Sequence, residues 1–440
     1  MTLLMKSIIL YSMNISESLK KIKFPVVIIG MGKSGHSAQN FLLKTGFDKD
    51  QILTFDEKTD LNLTSNLKSW SDIKNLNPGT LVVSPGVSLQ SQNIQNLIKQ
   101  GWALSSEINL ATSVLTDEII IGITGSVGKS TVTSLLGVGA KFEDSNAFVG
   151  GNLGTPFCEY AISQIENKPK AKYIILELSS YQLENCRQLK LNYSAITYLS
   201  ANHLERYLSL HEYYMAKCYI GKQTSQFCII NSASADLLKY KKEILCTTIE
   251  APILSEKIKL IGKHNLENYS VAVALAKKCK WSDNAILEMK NFLGLPHRLE
   301  TVGEFNGTLY VNDSKATAMD SVLVAVSAVA EKIQPHKKMH LMLGGKDKNL
   351  PWQDLEILKT QKNIQVYFFG ECANVAKNKS SLNGIVFKTM LTALEDIFLK
   401  TTTGDVVLLS PGGTSLDEFK NFEDRGHIFK KRIHENYSIK

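Results

Sequence analysis

The stretch "IIIGITGSVGKST" at 119–131 places a lysine and two hydroxyl residues just after a pair of glycines. A β-branched apolar run leads in, and a helix start follows. Gly125 and Gly128 let the backbone turn with its N–H groups facing inward, Lys129 carries a positive charge toward terminal phosphates, and Ser130 offers a hydroxyl to Mg²⁺. The strict G-x-x-x-x-G-K-[ST] spacing is not met, because Ile123 stands where the first glycine belongs. Residues Gly125, Ser126, Val127, Gly128, Lys129, Ser130 and Thr131 therefore read as a shortened nucleotide-phosphate loop. The bland alternative is a tight turn with an incidental lysine.

Further polar residues follow apolar runs. "ELSSYQL" at 177–183 comes after "YIIL", which puts Glu177 at the carboxyl edge of a sheet, where ligands of open α/β sheets collect. There it is either a Mg²⁺ ligand or a glutamate in water. His203 follows the strand-like "AITYL", Arg206 shares its helix face, and Lys217 sits in a Tyr-rich helical stretch. A structural or solvated role stays open for each. "GKHNLENY" at 262–269 opens a helix with Asn265 and Asn268 three apart, so one face carries two amides. They suit a purine or ribose, although Asn265 equally suits a helix N-cap.

A second glycine loop, "VVIIGMGKSG" at 26–35, precedes all of these. Its G-x-G-x-x-G spacing, with Asp56 ending the next strand roughly 20 residues on, favours NAD(P) on motif alone. A glycine turn at a helix N-terminus accepts any diphosphate, however, so a nucleotide-sugar is equally compatible.

The elements that must position these groups alternate along the chain. Strand-like runs occur at 26–30, 52–56, 80–84, 119–124, 173–179, 194–199, 227–230, 309–313, 340–345, 366–370 and 406–412, with amphipathic stretches between them. This is the pattern of parallel α/β sheets. Three groups emerge, 1–115, 116–300 and 301–440. The net charge of +8 suits anionic substrates, and without a dense basic tract interleaved with aromatics no nucleic acid is expected. Seven scattered cysteines, none in C-x-x-C, argue against a zinc cluster or a disulfide framework and for a reducing cytoplasm. No apolar run approaches the roughly 18 residues of a membrane span. The N-terminal "MTLLMKSIILYSMN" reads as a loose extension rather than a signal peptide.

Taken in order, "TGSVGKST", "GGNLGTP", "ELSSYQL", "NHLERY", the Lys217 helix, "GKHNLENY", "GLPHRLE", "NDSKAT" and "SPGGTSLDEFKNFEDRG" resemble the Mur ligase family over about residues 26–426. The resemblance implies an α/β chain of three domains. These are a Rossmann-like N-terminal domain, a central P-loop ATPase-like parallel sheet, and a C-terminal Rossmann-like domain. It also implies that ATP phosphorylates a substrate carboxylate and that an amine displaces phosphate from the acyl phosphate. The last two stretches point to the branch that adds D-glutamate, with UDP-N-acetylmuramoyl-L-alanine as its acceptor in cytoplasmic peptidoglycan precursor synthesis. A monomer is expected.

Carried over by position, Ser130 and Glu177 resemble ligands of one Mg²⁺. His203, with Glu177 and a carbamylated Lys217, resembles the site of a second. Asn152 and Ser179 resemble contacts to the muramoyl-alanine end. Asn265, Asn268, Arg298 and Asp313 resemble the nucleotide set, and Lys315 lies near the phosphates. Thr317, Lys348, Ser415 and Phe422 resemble the D-glutamate pocket. Unaided, Ser415 reads as a helix N-cap and Phe422 as core. In the first domain Gly32, Lys33 and Ser34 would face the UDP diphosphate and Asp56 the uracil. The sequence departs from the family pattern at Val127, Glu205 and Ala318, in "GGTS" at 412–415 and in "GGKDKNL" at 344–350.

Overall fold

The computed structural model describes Leu19 and residues 21–58, 65–200 and 206–438. The expected N-terminal extension, His203 and Glu205 lie outside the described residues. Two compact units are present, Met1–Ser255 with Glu267–Lys290, and Glu256–Leu266 with Asn291–Lys440.

The first unit holds two parallel sheets. One comprises β1 (Val26–Ile29), β2 (Ile52–Phe55), β3 (Thr80–Val83) and β4 (Ala103–Ser105) in the order β2-β1-β3-β4. All four residues of β1 are buried, which is why its sequence is apolar without alternation. The second sheet comprises β5 (Ile119–Thr124), β6 (Phe148–Gly151), β7 (Tyr173–Glu177), β8 (Leu191–Ile196), β9 (Thr224–Asn231) and β10 (Thr247–Ala251), ordered β10-β9-β8-β5-β7-β6. In each sheet the order reverses beside the strand that carries a glycine loop, β1 in one and β5 in the other. Such reversals open a crevice at the carboxyl ends of the strands.

The helices of this unit that matter to the site are α1 (Lys33–Lys44), α2 (Lys129–Glu143), α3 (Phe157–Ile165), α4 (Ser180–Asn185) and α5 (Leu210–Cys218). Helix α1 buries Phe41 and Leu42, each worth about 1.5–3 kcal/mol of transfer free energy. Its Ser37 hydroxyl donates to Glu159 of α3 at 2.6 Å, so the two sheets share a packed helical seam. The unit boundary falls within α6 (Lys263–Lys278).

The second unit is built on β11 (Glu300–Phe305), β12 (Thr308–Asn312), β13 (Met339–Gly344), β14 (Ile364–Phe369), β15 (Gly384–Val386) and β16 (Val406–Gly412), ordered β11-β12-β16-β13-β14-β15. The expectation of parallel strands needs correcting here, because β11 runs antiparallel to β12. Asn306 (φ 50°) and Gly307 (φ 74°) close a two-residue hairpin between them, and Asn-Gly is the pair that favours such a turn. Helix α7 (Phe422–Ser438) closes the chain.

Candidate active site

The glycine loop leaves β5 and turns into α2. Gly125 has φ 149° and Gly128 φ 86°. A Cβ on Gly125 would lie 2.0 Å from Thr197 Oγ1, and one on Gly128 would lie 2.3 Å from Asn268 Oδ1. Both the conformation and the space exclude larger residues. The loop is fixed from behind. Ser126 N–H donates to the Tyr198 carbonyl at 2.6 Å, and its hydroxyl to the Ser200 carbonyl at 2.9 Å. Thr197 Oγ1 donates to the Val127 carbonyl. Ser126 is thus occupied in holding the loop, while Val127 is 54% exposed at its tip. Ser130 is buried in the first turn of α2, beside the half-buried Thr131.

Two ammonium groups meet this loop. Lys129 Nζ donates to the carbonyls of Gly125 (2.8 Å) and Ser126 (3.1 Å). Lys217, on α5, is buried, and its Nζ donates to the same Gly125 carbonyl at 2.8 Å. Burial first, and the Lys129 charge second, push the Lys217 pKa well below the ordinary lysine value.

Glu177 ends β7 and pairs in register with Ile123 of β5, just ahead of the loop. It is buried; Asn152 Nδ2 donates to its Oε1 at 2.7 Å, while Oε2 is buried with no hydrogen-bond partner among the described residues. A buried carboxylate oxygen left unsatisfied costs about 1–3 kcal/mol or more, so it fits a cation that the protein does not itself supply. Among the described residues no three or more His, Cys, Asp or Glu side chains gather to hold a metal. The expected partner His203 lies outside them.

A cavity of about 540 Å³ brings the first-sheet residues together. Gly32, Lys33, Ser34 and Asp56 line it with Trp70, the 84–88 loop, Asn152 and Gln182. Asp56 also has a structural task. Its Oδ2 accepts from Met31 N–H at 2.6 Å and its Oδ1 from Lys58 N–H at 2.8 Å, so the carboxylate braces the glycine loop. Ser179 is absent from this lining. It caps α4 in a reciprocal capping box with Gln182, which does line the cavity.

In the second unit Asp313 follows β12, buried, accepting from Ser410 Oγ (2.9 Å) and Leu299 N–H (3.1 Å). Burial raises its pKa to about 7 against those bonds and the charge of Arg298. Lys315 Nζ lies 3.8 Å from the centroid of the Phe422 ring, so these two expected site residues are joined. Phe422 is half-buried, not core, and opens α7. Ser415 is buried ahead of a turn rather than capping a helix, its carbonyl accepting from Phe419 N–H at 2.9 Å. Arg298 and Lys348 are exposed and Thr317 is half-buried. Asn265 is not an N-cap, since its helix already starts at Lys263; its amide donates to the Ile261 carbonyl at 2.7 Å.

The family signature of the Mur ligase MurD-like N-terminal domain matches residues 25–106, and that of the Mur ligase middle domain matches 123–251. A UDP-N-acetylmuramoylalanine--D-glutamate ligase of Haemophilus influenzae is 33% identical over 435 residues, covering 92% of this chain and 96% of the relative. The chain belongs to the Mur ligase family. The like-named enzyme of Aliivibrio fischeri is 32% identical over 446 residues, covering 94% and 98%. Among solved structures, a Thermotoga maritima MurF ligase in complex with ADP aligns with TM-score 0.60 at 15% identity over 97% of this chain and 99% of that one. The UDP-N-acetylmuramate-alanine ligase of the same organism aligns with TM-score 0.57 at 15% identity over 94% and 100%. At that identity they speak for the three-domain α/β fold alone.

Several supports of this Mur ligase's site were not singled out in the sequence. Thr197 holds the glycine loop and Ser410 holds Asp313. Arg425 is fully buried, and its guanidinium donates to Ser314 Oγ (3.0 Å), the Ser314 carbonyl (2.9 Å) and the Gly413 carbonyl (3.1 Å). It thereby pins the loops that carry Asp313 and Ser415. Trp70 donates to Glu57 at 2.6 Å beside the cavity. "SPGG" around Ser410 and "RG" at Arg425 lie inside the family-like stretch, so their position was a usable signal.

Proposed function

We propose that the chain is a cytoplasmic, ATP-dependent ligase that joins D-glutamate to UDP-N-acetylmuramoyl-L-alanine in peptidoglycan precursor synthesis. The observation that carries the reading is the rim of the second sheet. There a glycine loop at a helix N-terminus, two lysines on one carbonyl and a buried carboxylate oxygen without a partner among the described residues all call for a charged ligand. The printed names of relatives that align over more than nine-tenths of this chain supply the substrates.

In this reading the three domains are 1–115, 116–300 and 301–440. The first-sheet cavity holds the UDP part, with Gly32, Lys33 and Ser34 at the diphosphate. Asn152 and Ser179 serve the muramoyl-alanine end. The loop N–H groups and Lys129 bind the triphosphate of ATP, with Asn265, Asn268, Arg298 and Asp313 on the nucleoside. Thr317, Lys348, Ser415 and Phe422 serve D-glutamate. Ser130, Glu177, His203 and Lys217 would hold Mg²⁺, which when bound would neutralise phosphate charge.

The substrate carboxylate attacks the γ-phosphorus, giving an acyl phosphate and ADP. The amine of D-glutamate then attacks the acyl carbon, loses a proton and expels phosphate. Neither step needs a protein nucleophile; both crowd anions together, so fixed cations and positioning supply the acceleration. Lys129 exchanges its two carbonyl contacts for phosphate oxygens. Lys217, whose burial and neighbouring Lys129 charge both favour loss of its proton, adds CO₂ through the amine to give a carbamate and one proton, which turns a cation into an oxygen donor.

A phosphate-release screen over amino acids tests the substrate assignment. ATP turnover is expected only with UDP-N-acetylmuramoyl-L-alanine and D-glutamate both present. Equal turnover with L-lysine or meso-diaminopimelate would refute the D-glutamate assignment.

A further inference from the structure

One wall of the cavity beside the first glycine loop is also braced from the neighbouring sheet. Residues 84–88 form that wall. Ser84 is tied down, its N–H to the Ile29 carbonyl (2.9 Å) and its hydroxyl to the Gly30 carbonyl (2.6 Å). Beyond it the chain turns, Val87 N–H donating back to the Ser84 carbonyl at 3.0 Å, and a Cβ added to Gly86 at the turn would meet nothing within 4 Å.

A second grip on this turn comes from the neighbouring sheet. Arg206 Nη1 donates to the Pro85 carbonyl at 2.8 Å and Nη2 to the Val87 carbonyl at 3.2 Å. The guanidinium carbon lies 3.6 Å from the centroid of the Tyr181 ring, and Nη2 is 3.6 Å from Glu184 Oε2. Tyr181 and Glu184 both belong to α4, whose cap is Ser179. The arginine side chain is only 11% exposed. Its fork therefore spans two carbonyls of one loop while its face is stacked on a helix of the other sheet, a task for which a point charge is a poor substitute. Val87 in turn packs on Gly30, since a Cβ there would come within 3.1 Å of Val87 Cγ2.

We infer that Arg206 is a positioning residue for the acceptor substrate: it fixes the 84–88 wall of the nucleotide-sugar cavity to α4, and so sets the affinity for the UDP-linked substrate without touching ATP. The inference rests on reading that cavity as the nucleotide-sugar site. Arg206 acts through Pro85 and Val87 and is not itself catalytic.

The test compares the full-length protein with Arg206→Ala, Arg206→Lys and Tyr181→Leu. Arg206→Ala is expected to raise KM for UDP-N-acetylmuramoyl-L-alanine about tenfold or more, the loss of two hydrogen bonds to a charged group, with KM for ATP unchanged. Arg206→Lys recovers part of that loss. Tyr181→Leu, which removes the stacked ring but keeps both Arg206 hydrogen bonds to the loop, raises the same KM by a smaller factor and keeps the result interpretable if Arg206→Ala does not fold. Hydrogen exchange without any ligand reads the tether directly, with amides of residues 86–88 exchanging faster in Arg206→Ala and Tyr181→Leu while those of 125–131 keep their rates. Unchanged exchange at 86–88, or a fall in kcat with KM for the UDP substrate unmoved, overturns the inference. A parent protein that shows no turnover defeats the proposed activity instead, and the exchange measurement still decides the role of Arg206.

Discussion

Lys129 and Lys217 donate to one and the same oxygen, the Gly125 carbonyl, each at 2.8 Å. Two ammonium groups so close repel each other, and one is buried. The pair suits an anion beside it, either a phosphate at Lys129 or a carbamate formed on Lys217. Among the charges acting on Lys217, Glu177 is the strongest of opposite sign.

Removing the buried amine tests this directly. Lys217→Ala is expected to lose about 100-fold or more in kcat. Short carboxylic acids should restore part of the rate by placing a carboxylate where the carbamate stood. Rates in the variant with and without added acid provide the check, and parental activity in the unsupplemented variant would refute the carbamate.

Gly128→Ala sets a methyl against Asn268 Oδ1 in a left-handed backbone conformation. The substitution should cost about 1–2 kcal/mol of stability. It should also raise KM for ATP, because relieving the clash displaces either the loop or Asn268. Thermal denaturation together with ATP kinetics measures both effects; an unaltered KM for ATP would show that the loop does not bind the triphosphate.

Stability should carry a pH signature from Glu107, in the short helix Glu107–Ala111. Its carboxylate accepts from Cys158 N–H at the start of α3 and is wholly buried, which raises its pKa from 4.5 to about 7. The folded state therefore binds this proton more tightly than the unfolded state does. Its stabilising contribution is complete below the unfolded value and is lost as pH rises through about 7. Glu107→Gln removes that loss, so its stability relative to the parent should climb by about 3 kcal/mol between pH 4.5 and 8. Denaturation midpoints of the two proteins across that range test the sign, and parallel curves would contradict it.

Much of this molecule was legible in its residues, and the gaps follow a physical rule. The strands missed from sequence, β4, β6, β10, β11 and β15, all lie at sheet edges. An edge strand need not be apolar on both faces, so the continuous runs that revealed β1 or β5 are absent there. The hairpin of β11 and β12 carries a turn signal in Asn306-Gly307 that the reading of the chain as parallel strands left unused. The phosphate loop was readable because a few contiguous residues make it. The contacts of Arg425 were not, because its partners Ser314 and Gly413 are set by the fold and not by spacing, even though its place in a family-like stretch marked the residue itself. Asp56 was found, but its bracing of the glycine loop was not, since the Met31 N–H it accepts comes from the preceding strand's loop.

The central claim is that this loop and its lysines activate a carboxylate with ATP. Transfer of ¹⁸O from the labelled alanyl carboxylate of UDP-N-acetylmuramoyl-L-alanine, followed by mass spectrometry of the released phosphate, tests it most directly. The oxygen that attacks the γ-phosphorus leaves with that phosphate, so one labelled oxygen per turnover is expected there. Turnover with unlabelled phosphate, all of the ¹⁸O remaining in the product amide or in water, would contradict the account.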